Sequence, residues 1–565
     1  MPTISVNRAD FEHLVGRPAP VEELRTWLTW VKGELKEEDP KTGELRVELQ
    51  DSNRPDLWSC EGIARQIRAR LQGDLPPHPF FRGVKRPTRS LNVSPDLEGV
   101  RPYVAACTAV GYTVTEAGLA QLIQTQEKLA EIFGRKRRTV SIGLYRLPAI
   151  AFPVVYDLVK QDEARFTPLG MDQSLSAREI LAVHPKGLEY GAILAGHDRV
   201  PLLRDQKGQV LSLPPIINSR DIGEVRVGDR ELFVEVTGTD LLMVVLTLNI
   251  MAVNLADRGA TIEPVLVTYP YDTPLGKTMP TPLDFAKARS IPVKTIETAL
   301  GQTLGADQVR DALVAYGCQA EVAGETITVT LPPYRNDFMH AVDVVEDVAI
   351  SRGYGLFTPV MPSQFTVGGL TRLEELSDRV RDLMVGMGFQ EIIANIMGSR
   401  QDLIDRMRLA ATDWDQVVEV DNVMSQTYAC LRRSIIPSLL RVEAASTRAF
   451  YPHQLFEVGE VAIPEPAHES GSRTATLLGA MIAHAGATFS AVHSCLDFLF
   501  YHLDQPYTLE PVSHPSFLDG RAGRIVSKGR PLGLIGELHS EVLEGWQVTM
   551  PAVAFEVGLD QLLEQ

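Results

Sequence analysis

The sequence predicts a multidomain α+β protein, and three observations carry that prediction. The chain has 565 residues, too many for one hydrophobic core, so several domains are expected. Helix-periodic stretches alternate with short β-branched stretches over the first two thirds. The last 200 or so residues read as several strands with few helices, the pattern of a large antiparallel sheet flanked by helices. Hydrophobic residues make up 44% and charged residues 22%, the balance of an ordinary globular protein.

The first unit, residues 1–85, is expected to be an α/β domain. VEELRTWLTWVKGEL (21–35) reads as a helix and EEDPKTGE as a polar turn. ELRVELQ follows as a strand, and LWSCEGIARQIRARL as a second helix. The proline-rich LPPHPFF (75–81) reads as a linker.

The second unit, 86–268, is mixed α+β. YVAACTAVGYTV reads as a strand. In the helix that follows, Leu119, Leu122, Ile123, Gln126, Leu129, Ala130 and Phe133 keep helical spacing, and Gly134 suits a C-terminal cap. Ser176 and Glu179 form a capping box that opens a further helix. LSLPPIINSR and EVTGTD lie in or beside strands. LLMVVLTLNIMAV (241–253) is shorter than the roughly 20 residues that span a bilayer, so it reads as a buried helix.

The third unit, 269–358, runs helix, helix, hairpin, helix, the order of a winged-helix-like module. It has no strongly basic recognition helix. The fourth, 359–565, opens with a capping box from Thr371 to Glu374 and carries strands at QLFEVGEVAI, TATLLGAMIAH, AGRIVSKG, RPLGLIGEL and AVAFEVGL.

Composition narrows the function classes. The net charge of −17 disfavours a general nucleic-acid coat or a membrane-surface protein, both of which need basic surfaces. RNA contact through one local basic patch stays open. The five cysteines are scattered with no CxxC pair, against a thiolate zinc site or a disulfide framework. The N-terminus lacks a signal-peptide pattern, and a cytoplasmic protein without membrane attachment is expected. No HExxH, GxxxxGK[ST] or GxSxG stretch is present.

The sharpest constellation is PPYRNDFMHAVDVVEDVAISRGYG. On a helix starting near Ala341, the side chains of Asp343, Glu346 and Asp347 share a face, and Asp337 precedes it in a loop. These carboxylates read as having no basic neighbour. Val342, Val344, Val345 and Val348 read as the packed side. Clustered carboxylates without histidine or thiolate suit Mg²⁺. A solvated acidic face near a helix N-terminus explains the same spacing. Three weaker features also have two readings. RKRR (135–138) is a phosphate contact or a solvated helix end. Ser212 with Asn218, and Gly238 with Thr239, line a polar pocket or serve turn chemistry.

Taken together, DSNRPDLWSCEGIARQI (51–67), RKRRTVSIGLY, LSLPPIIN, EVTGTD, the acidic-helix segment, LRRSIIPSLL (431–440), QLFEVGEV and GLIGELHSEVLEGW resemble, in order, the β subunit of phenylalanyl-tRNA synthetase in its archaeal and eukaryotic-cytosolic form. By this resemblance the chain is expected to be shorter than the bacterial β subunit, without room for that form's added tRNA-binding and anticodon-binding domains.

The resemblance implies a heterotetramer of two α and two β subunits acting on the tRNA for phenylalanine. ATP and phenylalanine are bound by the α subunit. Residues 86–268 become an editing domain that hydrolyses tyrosyl-tRNA, with Ser212, Asn218, Gly238 and Thr239 in its pocket. Residues 269–358 bind Mg²⁺ through Asp337, Asp343, Glu346 and Asp347, of which Asp347 stands where many members carry glutamate. Residues 359–565 become a class II synthetase fold without catalysis. A class II site needs Phe-Arg-x-Glu, and here Leu455 and Phe456 precede Glu457; GLIGELHSEV carries no arginine either. Two rival functions are a stand-alone editing deacylase and a non-catalytic nucleic-acid-binding scaffold.

Overall fold

The computed structural model describes residues 2–50, 53–73, 78–83, 86–446 and 448–563. Asp51, Ser52 and residues 75–77 of the expected linker lie outside that set. Two compact units emerge, residues 1–360 and 361–565, so the first three expected domains share one unit.

In the first unit, a three-stranded sheet sets Thr3–Asn7 beside Glu44–Leu49, which pairs in turn with Gly33–Asp39. The expected 21–35 helix stops at Thr29. Its last residues instead form the strand Gly33–Asp39, because a hairpin partner is available across the PKTG turn. The strand Thr3–Asn7 and the helix Arg8–Val15 had no clear sequence signal. Helix Cys60–Gln72 forms as expected, with the Ser59 hydroxyl accepting from the Gly62 amide at its start.

A ten-stranded sheet dominates the unit. One end of its strand order is the hairpin Val210–Leu213 with Ile217–Asn218. The other end is Glu231–Gly238 followed by Val140–Arg146. The sheet curls until its ends meet: the Asn218 side-chain amide donates to the Leu144 carbonyl at 3.3 Å. Thr278–Thr281 pairs with Thr261–Thr268 of the same sheet. The small module therefore starts near Arg289, not at 269; its sheet orders Arg289–Pro292, Thr326–Thr330 and Gln319–Ala323. Its helices are Val293–Leu300, Ala306–Ala315 and Ala341–Arg352, in the expected order.

Helix Leu241–Asp257 is buried on almost every side, as its apolar sequence requires. Among the described residues no helix is long and apolar enough to cross a membrane. The polar groups of this helix reach into other segments. The Asn249 amide donates to the Leu283 and Pro333 carbonyls at 2.9 and 2.7 Å. Asn254 donates to Ser59 Oγ at 3.0 Å. Asp257 pairs with Arg65 and Arg68. The next residue, Arg258, holds Asp10 at 2.8 Å and Glu61.

In the second unit, helix Arg372–Gly386 begins at the expected capping box. The seven-stranded sheet runs in the order Gln390–Glu391, His453–Pro464, Ser472–Ala483, Ala552–Gly558, Arg530–Leu538, Phe517–Ser527, Thr508–Pro511. All neighbours are antiparallel except the short first strand, which is parallel to the second.

Arg258→Met strands Asp10 and Glu61 in a buried setting without their cation, which costs about 3–5 kcal/mol in such cases. The first thermal unfolding transition of the full chain is expected to fall by several degrees in calorimetry. An unchanged transition would show that this cluster does not hold the N-terminal segment in place.

Candidate functional site

The expected pocket residues Ser212 and Asn218 line a cavity of about 250 Å³ in the first unit. It lies where the two ends of the ten-stranded sheet meet. Strand pitch decides what faces it. On Val140–Arg146, Ser141, Gly143 and Tyr145 share one side. Opposite them on Glu231–Gly238, Thr237 pairs with Ser141 and Glu235 pairs with Gly143. A Cβ on Gly143 would lie 2.2 Å from the Tyr145 hydroxyl and 2.4 Å from Glu235 Oε1. Glycine there is what lets those two groups meet.

Behind the cavity wall, Tyr145 links three of its lining residues. Its hydroxyl lies 2.8 Å from Glu235 Oε1, 2.8 Å from Ser212 Oγ and 3.5 Å from Asn218 Oδ1. One proton serves one acceptor at a time, so Tyr145 donating to Glu235 leaves its oxygen free to accept from Ser212. Glu235 is buried, and its Oε2 has no hydrogen-bond partner among the described residues. Burial pushes the Glu235 carboxyl up to about 7, against the stabilising Tyr145 bond and the charge of Arg101. Burial, and next the Glu235 charge, push the Tyr145 phenol well above its ordinary range. A buried carboxylate with an unused oxygen, in a cavity lined by Ser212, Pro214, Ile216 and Asn218, is built to read a donor on a bound group.

Sequence reasoning missed Glu235, Tyr145 and Gly143. Its one available signal was a lone acid at an inward position of the apolar strand ELFVEVTG, buried at every residue but the first. Gly238 and Thr239 do not line this cavity. A Cβ on Gly238 would sit 2.2 Å from the Thr139 carbonyl and 2.5 Å from Val244, so glycine there permits close packing. Thr239 is exposed beyond the strand end. Thr237 is the inward threonine: Arg101, itself buried, donates to Thr237 Oγ1, the Thr237 carbonyl and Ser141 Oγ at 3.1, 2.7 and 3.0 Å.

The four acids of the small module fall into three separate arrangements. Arg335 is buried two residues before Asp337, the basic neighbour that attention to the helix alone overlooked. It donates to Asp337 at 3.0 and 2.6 Å and to Asp347 at 2.9 Å. Burial alone would raise the Asp337 carboxyl, but Arg335 and Arg54 bring it below its ordinary value. For Asp347 burial prevails and raises it to about 6, with the two arginines opposing. Asp343 Oδ2 accepts from the Met339 and His340 amides, both at 2.6 Å, at the start of the helix. Glu346 pairs with Lys32.

The expected division into a valine core side and an acidic outer side is therefore not kept. Val344, Val345 and Val348 are buried, but Val342 is 64% exposed. Asp347 is interior. Among the described residues no group of three or more acidic, histidine or cysteine side chains is placed to hold a metal ion. Four ligands on one ion do not fit this arrangement. Asp343 and Glu346, both only partly buried, are the two that Arg335 does not hold, although Glu346 already has Lys32 and Asp343 two backbone amides.

In the second unit, Glu457 is sealed by an internal cation. Arg432 meets it at 2.7 and 3.0 Å, both residues being buried. A Cβ on Gly459 would crowd that pair at 2.3 Å from Arg432. This glutamate has its guanidinium already, and none is presented outward beside it on the strand.

Comparison with known proteins now gives the class: this is a subunit of an aminoacyl-tRNA synthetase. A model of the phenylalanyl tRNA synthetase beta chain CLM domain matches residues 358–559, and one of the tRNA synthetase B5 domain matches residues 289–354. The phenylalanine–tRNA ligase beta subunit of Treponema pallidum subsp. pallidum is 38% identical over the whole of both chains. That of Borrelia turicatae is 37% identical, again over the whole of both. A solved N-terminal fragment of the phenylalanyl-tRNA synthetase beta subunit from Pyrococcus horikoshii is 35% identical, with TM-score 0.59, covering 63% of this chain and all of the fragment. The chain belongs to the phenylalanine–tRNA ligase beta-subunit family.

Because the Glu235 carboxyl is raised from 4.5 to about 7, the folded state binds its proton more tightly than the unfolded state does. The native state is thus favoured at acid pH and loses about 3 kcal/mol as pH rises from 4.5 through 7. Glu235→Gln is expected to remove that loss, so its unfolding transition gains on wild type between pH 5 and 8. Parallel pH profiles for the two proteins would contradict the assignment.

Proposed function

We propose that this chain works with an α subunit, as two α and two β, to attach phenylalanine to its tRNA in the cytoplasm, and that its own cavity hydrolyses tyrosyl-tRNA made in error. ATP and phenylalanine bind to the α subunit. The sealed Arg432–Glu457 pair supports a C-terminal unit without adenylation chemistry of its own. The 35% identity to the Pyrococcus fragment supports the archaeal and eukaryotic-cytosolic type, but the two relatives named above are bacterial and match this chain over their whole length, so the expected shortness relative to the bacterial β subunit does not distinguish the two types.

The observation that carries the hydrolytic reading is the buried, half-satisfied Glu235 carboxylate at the cavity wall. Tyrosine differs from phenylalanine by one hydroxyl. An apolar pocket rejects that hydroxyl only weakly, whereas a site built to bond it rejects the amino acid that lacks it by roughly 10⁴–10⁵. Ionised Glu235 accepts a hydrogen bond from the phenol of a bound tyrosyl group at Oε2, and a phenyl ring leaves that oxygen unpaired. Ser212 and Asn218 flank the same position. Ser212 Oγ bonds Tyr145, not a histidine base, so the chain's side chains bind and orient the ester. Water attacks its carbonyl carbon, oriented by the pocket or by a neighbouring tRNA hydroxyl; the bond to the ribose oxygen breaks, giving free tyrosine and the restored ribose hydroxyl.

Mg²⁺ at the small module is part of the same reading, in a narrower form than four ligands. Asp343 and Glu346 would hold the ion, since Mg²⁺ commonly binds through one or two carboxylates. Bound there, the ion supplies positive charge that offsets these two acids. Asp337 and Asp347 serve Arg335.

The α–β complex is expected to hydrolyse tyrosyl-tRNA, with Glu235→Ala and Asn218→Ala slowing that step at least tenfold while phenylalanine charging persists. The isolated chain is expected to show no ATP–pyrophosphate exchange. Unchanged hydrolysis in Glu235→Ala overturns the cavity assignment, and exchange by the isolated chain overturns the division of labour. For the metal, Asp343→Asn and Glu346→Gln are expected to lower the Mg²⁺ content of the complex. Asp347→Asn is expected to leave the metal in place and lower the unfolding temperature, and the reverse pattern refutes the narrower ligand set.

A further inference from the structure

The RKRR segment is neither a simple helix end nor capped by Gly134. Helix Glu116–Lys128 continues through a wider turn over Leu129–Phe133. Gly134 has φ −74°. The left-handed conformation falls on Arg135, Lys136 and Arg137, with φ 49°, 55° and 63°. Glycine adopts such angles freely and long side chains do so at a cost. Three in succession, all cationic, are a cost that a merely solvated helix end has no reason to bear.

The surroundings hold this turn firmly. The Lys136 and Arg137 amides donate to the Glu131 and Ala130 carbonyls at 2.8 and 2.9 Å, and the Thr139 amide to the Gly134 carbonyl at 2.9 Å. Buried Arg101 donates to the Arg137 and Arg138 carbonyls, both at 3.2 Å, as well as to the cavity-lining Ser141. The Arg137 side chain lines the cavity, stacks 4.2 Å over the Tyr190 ring and donates to the Pro215 and Ile216 carbonyls. Arg135, Lys136 and Arg138 are exposed. Among the described residues no carboxylate pairs with any of the three, while the partly or fully exposed Arg146, Arg165 and Arg178 of the same unit each have one. In a chain of net charge −17, a pre-positioned cationic triplet beside a cavity is a built feature.

We infer that the Arg135–Arg138 turn is a clamp for the backbone phosphates of the single-stranded 3′ end of tRNA, holding the esterified terminal ribose at the cavity. This rests on the hydrolytic reading of that cavity. Long flexible cations reach successive phosphates, and the anchored backbone reduces the ordering cost of binding. The turn reads no base, so it acts on charge and strand geometry alone.

The test uses the full chain and two probes: an ACCA oligoribonucleotide, and an acceptor-stem hairpin trimmed of its single-stranded end. The variant combines Arg135→Gln, Lys136→Gln and Arg138→Gln, and its unfolding transition is checked against wild type. ACCA binding is expected to weaken at least tenfold at 0.1 M salt. The slope of log affinity against log salt is expected to fall by about 2, since each single-strand phosphate that a cation neutralises adds about 0.7 to it. Binding of the trimmed hairpin is expected to be unaffected. An unchanged ACCA slope, or a weakening seen only with the hairpin, overturns the clamp. If wild type fails to hydrolyse tyrosyl-tRNA but the variant loses ACCA binding, the clamp stands and the hydrolytic reading falls.

Discussion

The first unit depends on one constraint: helix Leu241–Asp257 is buried almost all round, so its side-chain amides and its terminal carboxylate take partners in other segments, while Thr247 Oγ1 and Asn249 Oδ1 have none among the described residues. An unpaired buried amide costs about 1–3 kcal/mol and an unpaired charge more. Asn249 therefore reaches the Leu283 and Pro333 carbonyls, Asn254 reaches Ser59, and Asp257 takes Arg65 and Arg68. Those partners belong to the N-terminal segment, the chain leading out of the large sheet, and the small module. Satisfying one helix thus fixes three regions of the chain around it. The apolar face of that helix also packs on the strands Tyr103–Val110 and Glu231–Gly238, so the cavity-bearing strand rests on the same support.

Charge is handled in three ways along this chain. Arg335 and Arg432 are buried cations that neutralise acids for structure, Arg335 with Asp337 and Asp347, and Arg432 with Glu457. Glu235 is a buried acid left half-satisfied, which is costly to keep and so marks a place where a ligand supplies the missing donor. Arg135, Lys136 and Arg138 are the opposite case, exposed cations without paired acids on a turn whose backbone is left-handed at 135–137. Arg101 links the last two. It donates to the turn's carbonyls and to Ser141 and Thr237, and its charge opposes the burial of Glu235.

Much of the fold was legible. The capping boxes at Ser176 and Thr371 start helices where their side chains satisfy free amides. The module's order of helices and hairpin is as the spacing implied. The strands of the C-terminal sheet match their alternating or β-branched sequences. Helical periodicity ran too far at Val21–Thr29, because pairing with Glu44–Leu49 overrides a weak local preference. Of the candidate site, Ser212 and Asn218 were legible through their proline-rich turn. Gly238 and Thr239 were placed too far along: Thr237 is the buried threonine, and the strand ends at Gly238, leaving Thr239 exposed beyond it. The carboxylates near Asp343 were grouped by helical spacing, which records which side chains share a face but not which partners arrive from elsewhere.

By itself the sequence determined the family-bearing segments, most element types, the buried character of 241–257 and the absence of Phe-Arg-x-Glu in the C-terminal unit. All of these follow from local order, through periodicity, capping, or a short contiguous stretch. Only the tertiary structure decided that Glu235 lies in the cavity opposite Tyr145, that Arg335 claims Asp337 and Asp347, and that Lys32 meets Glu346. Glu235 and Tyr145 are 90 residues apart in the chain, and Lys32 and Glu346 are 314 apart. Arg335 is close in sequence, yet its choice of partners depends on burial. Desolvation and long-range pairing are properties of the packed whole, and no local pattern of residues contains them.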